Sequence, residues 1–186
     1  LYSFGAITTD GQSPYGSLIL GQDGKLYGMT NTDGLLSMGI IFSYDLTGGQ
    51  ESMVTPLGSN ILGSNPYGTI VQGKDGNLYS TTSAGGPKST DTVFKYNLYS
   101  GAITTLHAFS SDTNDGGYPG DGLVMSKTGN FYGTTSAGGA SGNGIIFKIT
   151  PSGNFTLLYS FTGVTDGSQP YGNITIGSDG MLYGLT

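Results

Sequence analysis

The chain has no cysteine, no arginine, one histidine and one glutamate among its 186 residues. The lack of cysteine excludes disulfides and thiolate metal sites and leaves the redox compartment open. Six lysines stand against twelve acidic residues, a net charge of −6. That balance argues against nucleic acid and anionic membrane surfaces, which are held by clustered cations that release counterions. Charge is also sparse, at 10% of residues, and forms no block of one sign, so no charged interaction tail is expected. No run approaches the ~18 apolar residues of a membrane-spanning helix, and the opening LYSFGAITTDG lacks the pattern of a signal peptide. A start in mid-pattern predicts a mature fragment.

Glycine is what the chain has in excess. With 35 glycines, helices are disfavoured, because each glycine inside a helix costs roughly 1 kcal/mol relative to alanine. The glycines follow no three-residue period, and aromatic residues reach 11%, so neither collagen nor disorder is expected. The composition predicts an all-β chain with a packed core.

A long internal period organises that chain. Pro14, Pro66, Pro119 and Pro170 recur in steps of 52, 53 and 51 residues, and Tyr27, Tyr79, Tyr132 and Tyr183 recur in the same steps. Phe42, Phe94 and Phe147 follow with steps of 52 and 53. Each unit offers four short strands separated by turn residues. In the third unit these are GLVMS (122–126), NFYGTT (130–135), GIIFKIT (144–150) and FTLLYSF (155–161). The first two strands are joined by Asp-Gly hairpins, Asp23-Gly24, Asp75-Gly76 and Asp179-Gly180, with Thr-Gly in the third unit. Such pairs supply the positive φ of tight turns.

A four-stranded antiparallel meander with a repeat of about 52 residues predicts a β-propeller, whose commoner blades run roughly 40–50 residues. The units span approximately 5–57, 58–109 and 110–161, with a partial fourth at 162–186, and residues 1–4 match the last strand of a preceding unit. The expectation is a continuation of a longer array, or a homo-oligomer in which copies share a blade.

The unit, D-G-x-x-P-Y-G, an apolar run, D-G-x-L-Y-G-T-T, a small-residue loop and G-I-I-F-K, resembles the GloVer-type tandem repeat family of large secreted or surface-anchored bacterial proteins. The match is clearest at 115–161 and 166–186. The second unit departs from it with Leu62-Gly63 for Asp-Gly, Ser80 for Gly and Asp91-Thr92 for Gly-Ile; the first has NTDG for SAGG and VTPL at 54–57. The resemblance implies an extracellular or cell-surface repeat protein and carries no established catalytic residues.

In a propeller meander the loop between the second and third strands shares one end with the connection between units. That end would carry Tyr15, Tyr67, Tyr118 and Tyr171, whose rings and polar neighbours suit sugar binding. The competing reading, which the repetition favours, has these tyrosines wedged between blades with their hydroxyls bonded to neighbouring loops. The twin TTSAGG segments, 81–86 and 134–139, read as a structural element, and discrimination is expected from the residues that follow, 87–91 and 140–143.

The Asp-Gly aspartates read as turn formers rather than calcium ligands, because no complete calcium loop is present and DTNDGG at 112–117 misses a ligand; no metal or other cofactor is expected. Asp112, Asp115 and Asp121 form the most acidic stretch and read chiefly as turn residues, while Glu51 falls on a predicted outer strand. His107 takes the place of Tyr159 and reads as a packing substitution. Sequons stand at Asn154 and Asn173. The leading expectation is a non-enzymatic extracellular scaffold or adhesin that binds glycan or protein partners through its loop end, or self-assembles. The alternative is a propeller-based polysaccharide lyase or hydrolase using Asp112–Asp121.

Overall fold

The computed structural model describes residues 2–5, 9–58, 63–87, 90–110 and 112–186. Three four-stranded antiparallel meanders follow one another along the chain. The first comprises β1 (Ile19–Leu20), β2 (Lys25–Thr30), β3 (Ile40–Asp45) and β4 (Gln50–Pro56). The second comprises β5 (Val71–Gln72), β6 (Leu78–Thr82), β7 (Thr92–Tyr96) and β8 (Ile103–Ala108). The third comprises β10 (Val124–Met125), β11 (Phe131–Thr135), β13 (Ile145–Ile149) and β14 (Phe155–Ser160). A two-stranded sheet of β15 (Thr175–Ile176) and β16 (Leu182–Tyr183) follows. The pair β9 (Gly116–Gly117) and β12 (Ala137–Gly138) is the third unit's counterpart of the isolated bridges Gln12–Thr32 and Ser64–Ala84.

The sheets stack face to face, and the two hydrophobic cores lie between them. One core joins Tyr27, Met29, Ile41 and Leu57 of the first sheet and its exit to Ile70, Leu78, Phe94 and Tyr96. The other joins Tyr79, Val93 and Phe109 to Leu123, Phe131, Ile145, Phe147 and Ile149. A middle sheet is thus buried on both faces, which is why β6 and β7 are buried almost without alternation. Burying each large side chain contributes on the order of 2 kcal/mol.

The large apolar residue that follows a fourth strand crosses to the next sheet. Phe4 lies 4.7 Å from Phe42, Phe109 lies 5.4 Å from Phe147 between ring centroids, and Leu57 joins the core beside Phe94. The pairing of third and fourth strands slips at the same place three times, at Ile41/Phe42, Val93/Phe94 and Ile146/Phe147. Bulges of this kind bend and twist the outer strand, which makes its edge a poor template for another chain.

At the inner side the first strands come nearly into backbone contact. Thr69 and Gly122 form a parallel bridge, a Cβ on Gly16 would stand 2.8 Å from Gly68 O, and one on Gly68 would collide with Gly122 N. Only glycine permits this approach.

Candidate functional site

The two ends of the sheets are built differently. At one end each β1–β2 type hairpin is closed identically: Gly24 N donates to Gly21 O, Gly76 N to Gly73 O and Gly180 N to Gly177 O, each at 3.0 Å, and Gly129 N to Ser126 O at 2.9 Å. Asp23, Asp75 and Asp179 each hold the turn through Oδ1, accepting from the backbone N–H of Lys25, Asn77 and Met181. Their Oδ2 atoms accept from the hydroxyls of Tyr27, Tyr79 and Tyr183, all at 2.7 Å. Burial and the adjoining carboxylate push the Tyr27 and Tyr79 hydroxyls well above the ordinary range. Gly24, Gly76 and Gly180 take the left-handed conformation that closes these turns. The carboxylates are committed to local partners, and among the described residues no three acidic or histidine side chains converge as a metal site.

The opposite end gathers the β2–β3, β6–β7 and β11–β13 loops and the connections between sheets. Each connection pairs with the loop of its own sheet, through Gln12 and Thr32, Ser64 and Ala84, and β9 with β12. Non-glycine residues of the connections here adopt left-handed backbone, one in each: Ser13 (φ 55°), Asn65 (54°), Tyr118 (54°) and Gln169 (49°). All four immediately precede the repeated prolines, where extended backbone is the norm. Each such residue costs on the order of 1 kcal/mol or more, so the surroundings must hold it. Asn31 Nδ2 donates to Pro66 O (3.2 Å), Thr81 Oγ1 donates to Pro119 O (3.0 Å), and Tyr118 N donates to Asp91 Oδ2 (2.5 Å). Asp91 is buried, and loss of solvation raises its carboxyl above the usual range against the lowering effect of the Tyr118 N–H.

These turns bring Tyr15, Tyr67, Tyr118 and Tyr171 around one cavity of about 840 Å³, whose wall includes Asp121, Ser83, Ser136 and Gln169. The four rings are 53%, 46%, 60% and 66% exposed, so they are not wedged between sheets. Beside them in the chain, the backbones of Gly16, Gly68 and Gly122 approach too closely to admit a side chain between them. Tyr15 and Tyr67 lie 5.5 Å apart at 53°.

Tyr118 reaches the cavity from a different position. It precedes Pro119, whereas the other three follow their prolines, and the third connection runs Pro119-Gly120-Asp121-Gly122, one residue longer before the glycine that meets Thr69. Asp121 fills the resulting place and accepts from Gly172 N at 2.7 Å.

Of the residues expected to discriminate ligands, 87–91 and 140–143, the described ones do not line this cavity. Ala140 N donates to Ser160 Oγ (2.8 Å), Asn143 Nδ2 donates to Thr162 O (2.9 Å), and Asn143 O accepts from Gln169 N (2.8 Å), so 140–143 fasten the next connection. It is the shared letters, Ser83, Ser136 and Ala137, that reach the cavity wall. Lys88 and Ser89 of the second loop, like Leu1 and Leu62, lie outside the described residues. The first loop exposes Leu35, Leu36 and Met38, a patch that the sequence motif gives no reason to expect.

The acidic stretch does not converge. Asp115 bonds His107 Nε2 at 2.9 Å and Ser110 N at 3.0 Å, whereas Asp121 faces the cavity. Burial opposes ionisation of Asp115, but the bonds from His107 and Gly116 N outweigh it and hold the carboxyl below the usual range. His107 also stacks on Phe155 at 3.9 Å and 6°. The same join is made by Tyr2 with Asp10 (3.0 Å) and Tyr159 with Asp166 (2.7 Å), so His107 serves in an inter-sheet clasp. Glu51 lies on β4, the outer strand of its sheet; its Oε1 is buried without a partner among the described residues, and desolvation raises its carboxyl. The sequon residues Asn154 and Asn173 are both exposed. No helix is long and apolar enough to cross a membrane among the described residues.

Solved structures similar to this chain share its propeller-type fold. A nidogen/laminin complex matches with a TM-score of 0.60 at 20% identity, covering 89% of this chain and 53% of that one. Virginiamycin B lyase from Staphylococcus aureus matches with a TM-score of 0.55 at 18% identity, covering 95% and 50%. A gluconolactonase from Xanthomonas campestris matches with a TM-score of 0.64 at 13% identity, covering 99% and 58%. These likenesses show the fold alone, and the chain spans about half the length of the structures it matches. No curated protein matches the chain. The repeated proline–tyrosine connections and Asp–Tyr hairpins fall within a family match that runs over residues 14–186, and the chain belongs to the Gloeobacter/Verrucomicrobia repeat family.

Proposed function

We propose that this chain is a non-enzymatic carbohydrate-binding scaffold of the cell surface, and that its ligand enters the tyrosine-lined cavity at the loop end. In this reading the three four-stranded sheets and the two-stranded one are successive blades of one propeller. Their repeat is about 52 residues, with units at approximately 5–57, 58–109, 110–161 and 162–186. The observation that carries the proposal is the convergence of Tyr15, Tyr67, Tyr118 and Tyr171 on one cavity, each ring about half exposed or more. Aromatic faces stack on the C–H faces of sugars, while Ser83, Ser136, Gln169 and Asp121 offer hydrogen-bonding groups to hydroxyls. The left-handed residues beside the cavity support it too, because strained backbone gathers where a binding geometry is held in advance. The family resemblance is what supports the extracellular setting.

Hydrolysis or elimination is the weaker reading. On the expected Asp112–Asp121 stretch it needs two carboxylates facing one substrate, and Asp121 is the one carboxylate on the cavity wall among the described residues. Screening the purified chain against a panel of neutral and charged glycans tests the proposal. Wild-type binding that is lost on changing Tyr15, Tyr67 and Tyr171 to alanine supports it; binding that survives all three changes removes it.

A further inference from the structure

A sugar-binding cavity can discriminate by charge, and this one carries a single sign. Asp121 stands on its wall among four tyrosines, no lysine lines it among the described residues, and the chain has no arginine. Lys25, Lys74 and Lys127 sit in or beside the hairpin turns of the other end, and Lys95 and Lys148 lie within β7 and β13; Lys88, in the loop between β6 and β7, lies outside the described residues. Asp10, Asp91, Asp115 and Asp166 of the loop end are taken up by Tyr2, Tyr118 N, His107 and Tyr159, and none of them lines the cavity. The fixed charge on the described wall is therefore that of Asp121. The tyrosine rings add to it, since the face of an aromatic ring carries the negative lobe of its quadrupole.

Asp121 is also held in place. Its Oδ2 accepts from Gly172 N at 2.7 Å, which ties the third connection to the fourth and orients the carboxylate without supplying a counter-charge. Such a carboxylate attracts a cation at little further cost of ordering. A uronate or sulfated sugar would meet repulsion from Asp121.

We infer that the cavity takes an amino-sugar oligosaccharide with free ammonium groups: Asp121 pairs an ammonium while tyrosine rings stack on the sugar faces. This rests on the carbohydrate reading above and narrows it to a cationic class. A partly exposed ion pair and a cation–π contact together amount to about a tenfold preference.

The test measures calorimetric binding of three hexasaccharides: β-1,4-linked glucosamine, its fully N-acetylated counterpart and a galacturonate oligomer. Wild type, Asp121→Asn and Tyr67→Ala are compared at low and high salt, with thermal melts to verify folding. The asparagine side chain keeps an oxygen that can accept from Gly172. The expected result is that the glucosamine hexamer binds about tenfold more tightly than the N-acetylated one. Asp121→Asn and high salt should each remove most of that preference, and Tyr67→Ala should weaken both. If the N-acetylated or galacturonate hexamer binds as tightly as glucosamine and Tyr67→Ala abolishes binding, the ammonium inference falls and the carbohydrate reading stands. If no hexamer binds, both fall. Glucosamine binding that neither substitution changes reflects general attraction to an acidic surface and also overturns the inference.

Discussion

The hairpin end and the loop end of this molecule solve opposite problems. At the hairpin end the turn is repeated almost atom for atom, with an Asp–Tyr clasp in three of four cases. At the loop end the intervals between second and third strands are also equal, at 31–39, 83–91 and 136–144, yet their sequences are NTDGLLSMG, SAGGPKSTD and SAGGASGNG. Equal length with unequal sequence means that the frame of the loop is held at its two ends while its middle is free to vary. The comparison teaches that rigidity here is not a property of tight turns alone. The loop end has its own anchors, and they are less visible.

Gly144 is the clearest of these anchors, and changing it should produce the largest effect. It closes the third loop at φ 94°, its N–H bonds Gly138 O at 3.0 Å, and an added Cβ would collide with Thr135 O, a backbone atom. Gly142, two residues earlier, is also left-handed, at φ 72°, but a Cβ there meets nothing within 4 Å. Gly144→Ala should therefore cost about 3 kcal/mol, combining left-handed strain with a backbone clash, and Gly142→Ala about 1 kcal/mol. Denaturant unfolding of the two variants measures the difference. Equal losses would mean that the loop end lacks the fixed frame described here.

The overall architecture was legible because backbone requirements select particular side chains. Asp-Gly closes a hairpin, Pro-Tyr-Gly sets the connection, and Phe42, Phe94 and Phe147 mark the strand that packs on the preceding sheet, so the same residues return at each period. Tyr15, Tyr67, Tyr118 and Tyr171 could be placed at one end for the same reason. Their exposure could not be read, because it depends on how the connections of neighbouring sheets meet. The Asp115–His107 join was hidden by its variable partner, tyrosine in two other places. Asp91 illustrates a further limit. It stands where Gly39 and Gly144 stand in the other sheets, and its use, holding Tyr118 N, is defined only by the neighbouring connection.

Acid should act on the loop end through its clasps, an effect of intermediate size. Asp115 has its carboxyl held below the ordinary range in the fold, so it contributes stability that is present above the unfolded value of about 3.9 and is lost as pH falls through the lower folded value. Asp115→Asn should destabilise by about 1–2 kcal/mol at pH 7. The gap between variant and wild type should close as pH is lowered from about 5 toward the folded value. Thermal melts across that range check the sign. A gap that widens on acidification would show that the bonds to His107, Ser110 and Gly116 do not favour the charged form.

The smallest expected change tests the hairpin end by moving its clasp. In the third sheet Thr128 replaces the aspartate and Ser126 replaces the glycine whose counterparts, Gly21 and Gly73, leave room for the tyrosine ring and carboxylate. Ser126 Oγ and Thr128 Oγ1 bond each other at 2.9 Å, and Tyr132 goes without the carboxylate that Tyr27 and Tyr79 enjoy. Asp75→Ala should cost about 1 kcal/mol in the second sheet, since its bonds are partly exposed to water. The double change Ser126→Gly with Thr128→Asp should recover a similar or smaller amount in the third, because the new carboxylate gains Tyr132 and the Asn130 N–H while the glycine adds chain entropy to the unfolded state. Thr128→Asp alone should gain less than the pair, as Ser126 Cβ occupies the space that the carboxylate and ring need. Non-additivity of the two substitutions in a double-mutant cycle is the quantity to measure. If the two effects simply add, Gly21 and Gly73 are not there to admit the clasp, and the uniformity of the hairpin end has another cause.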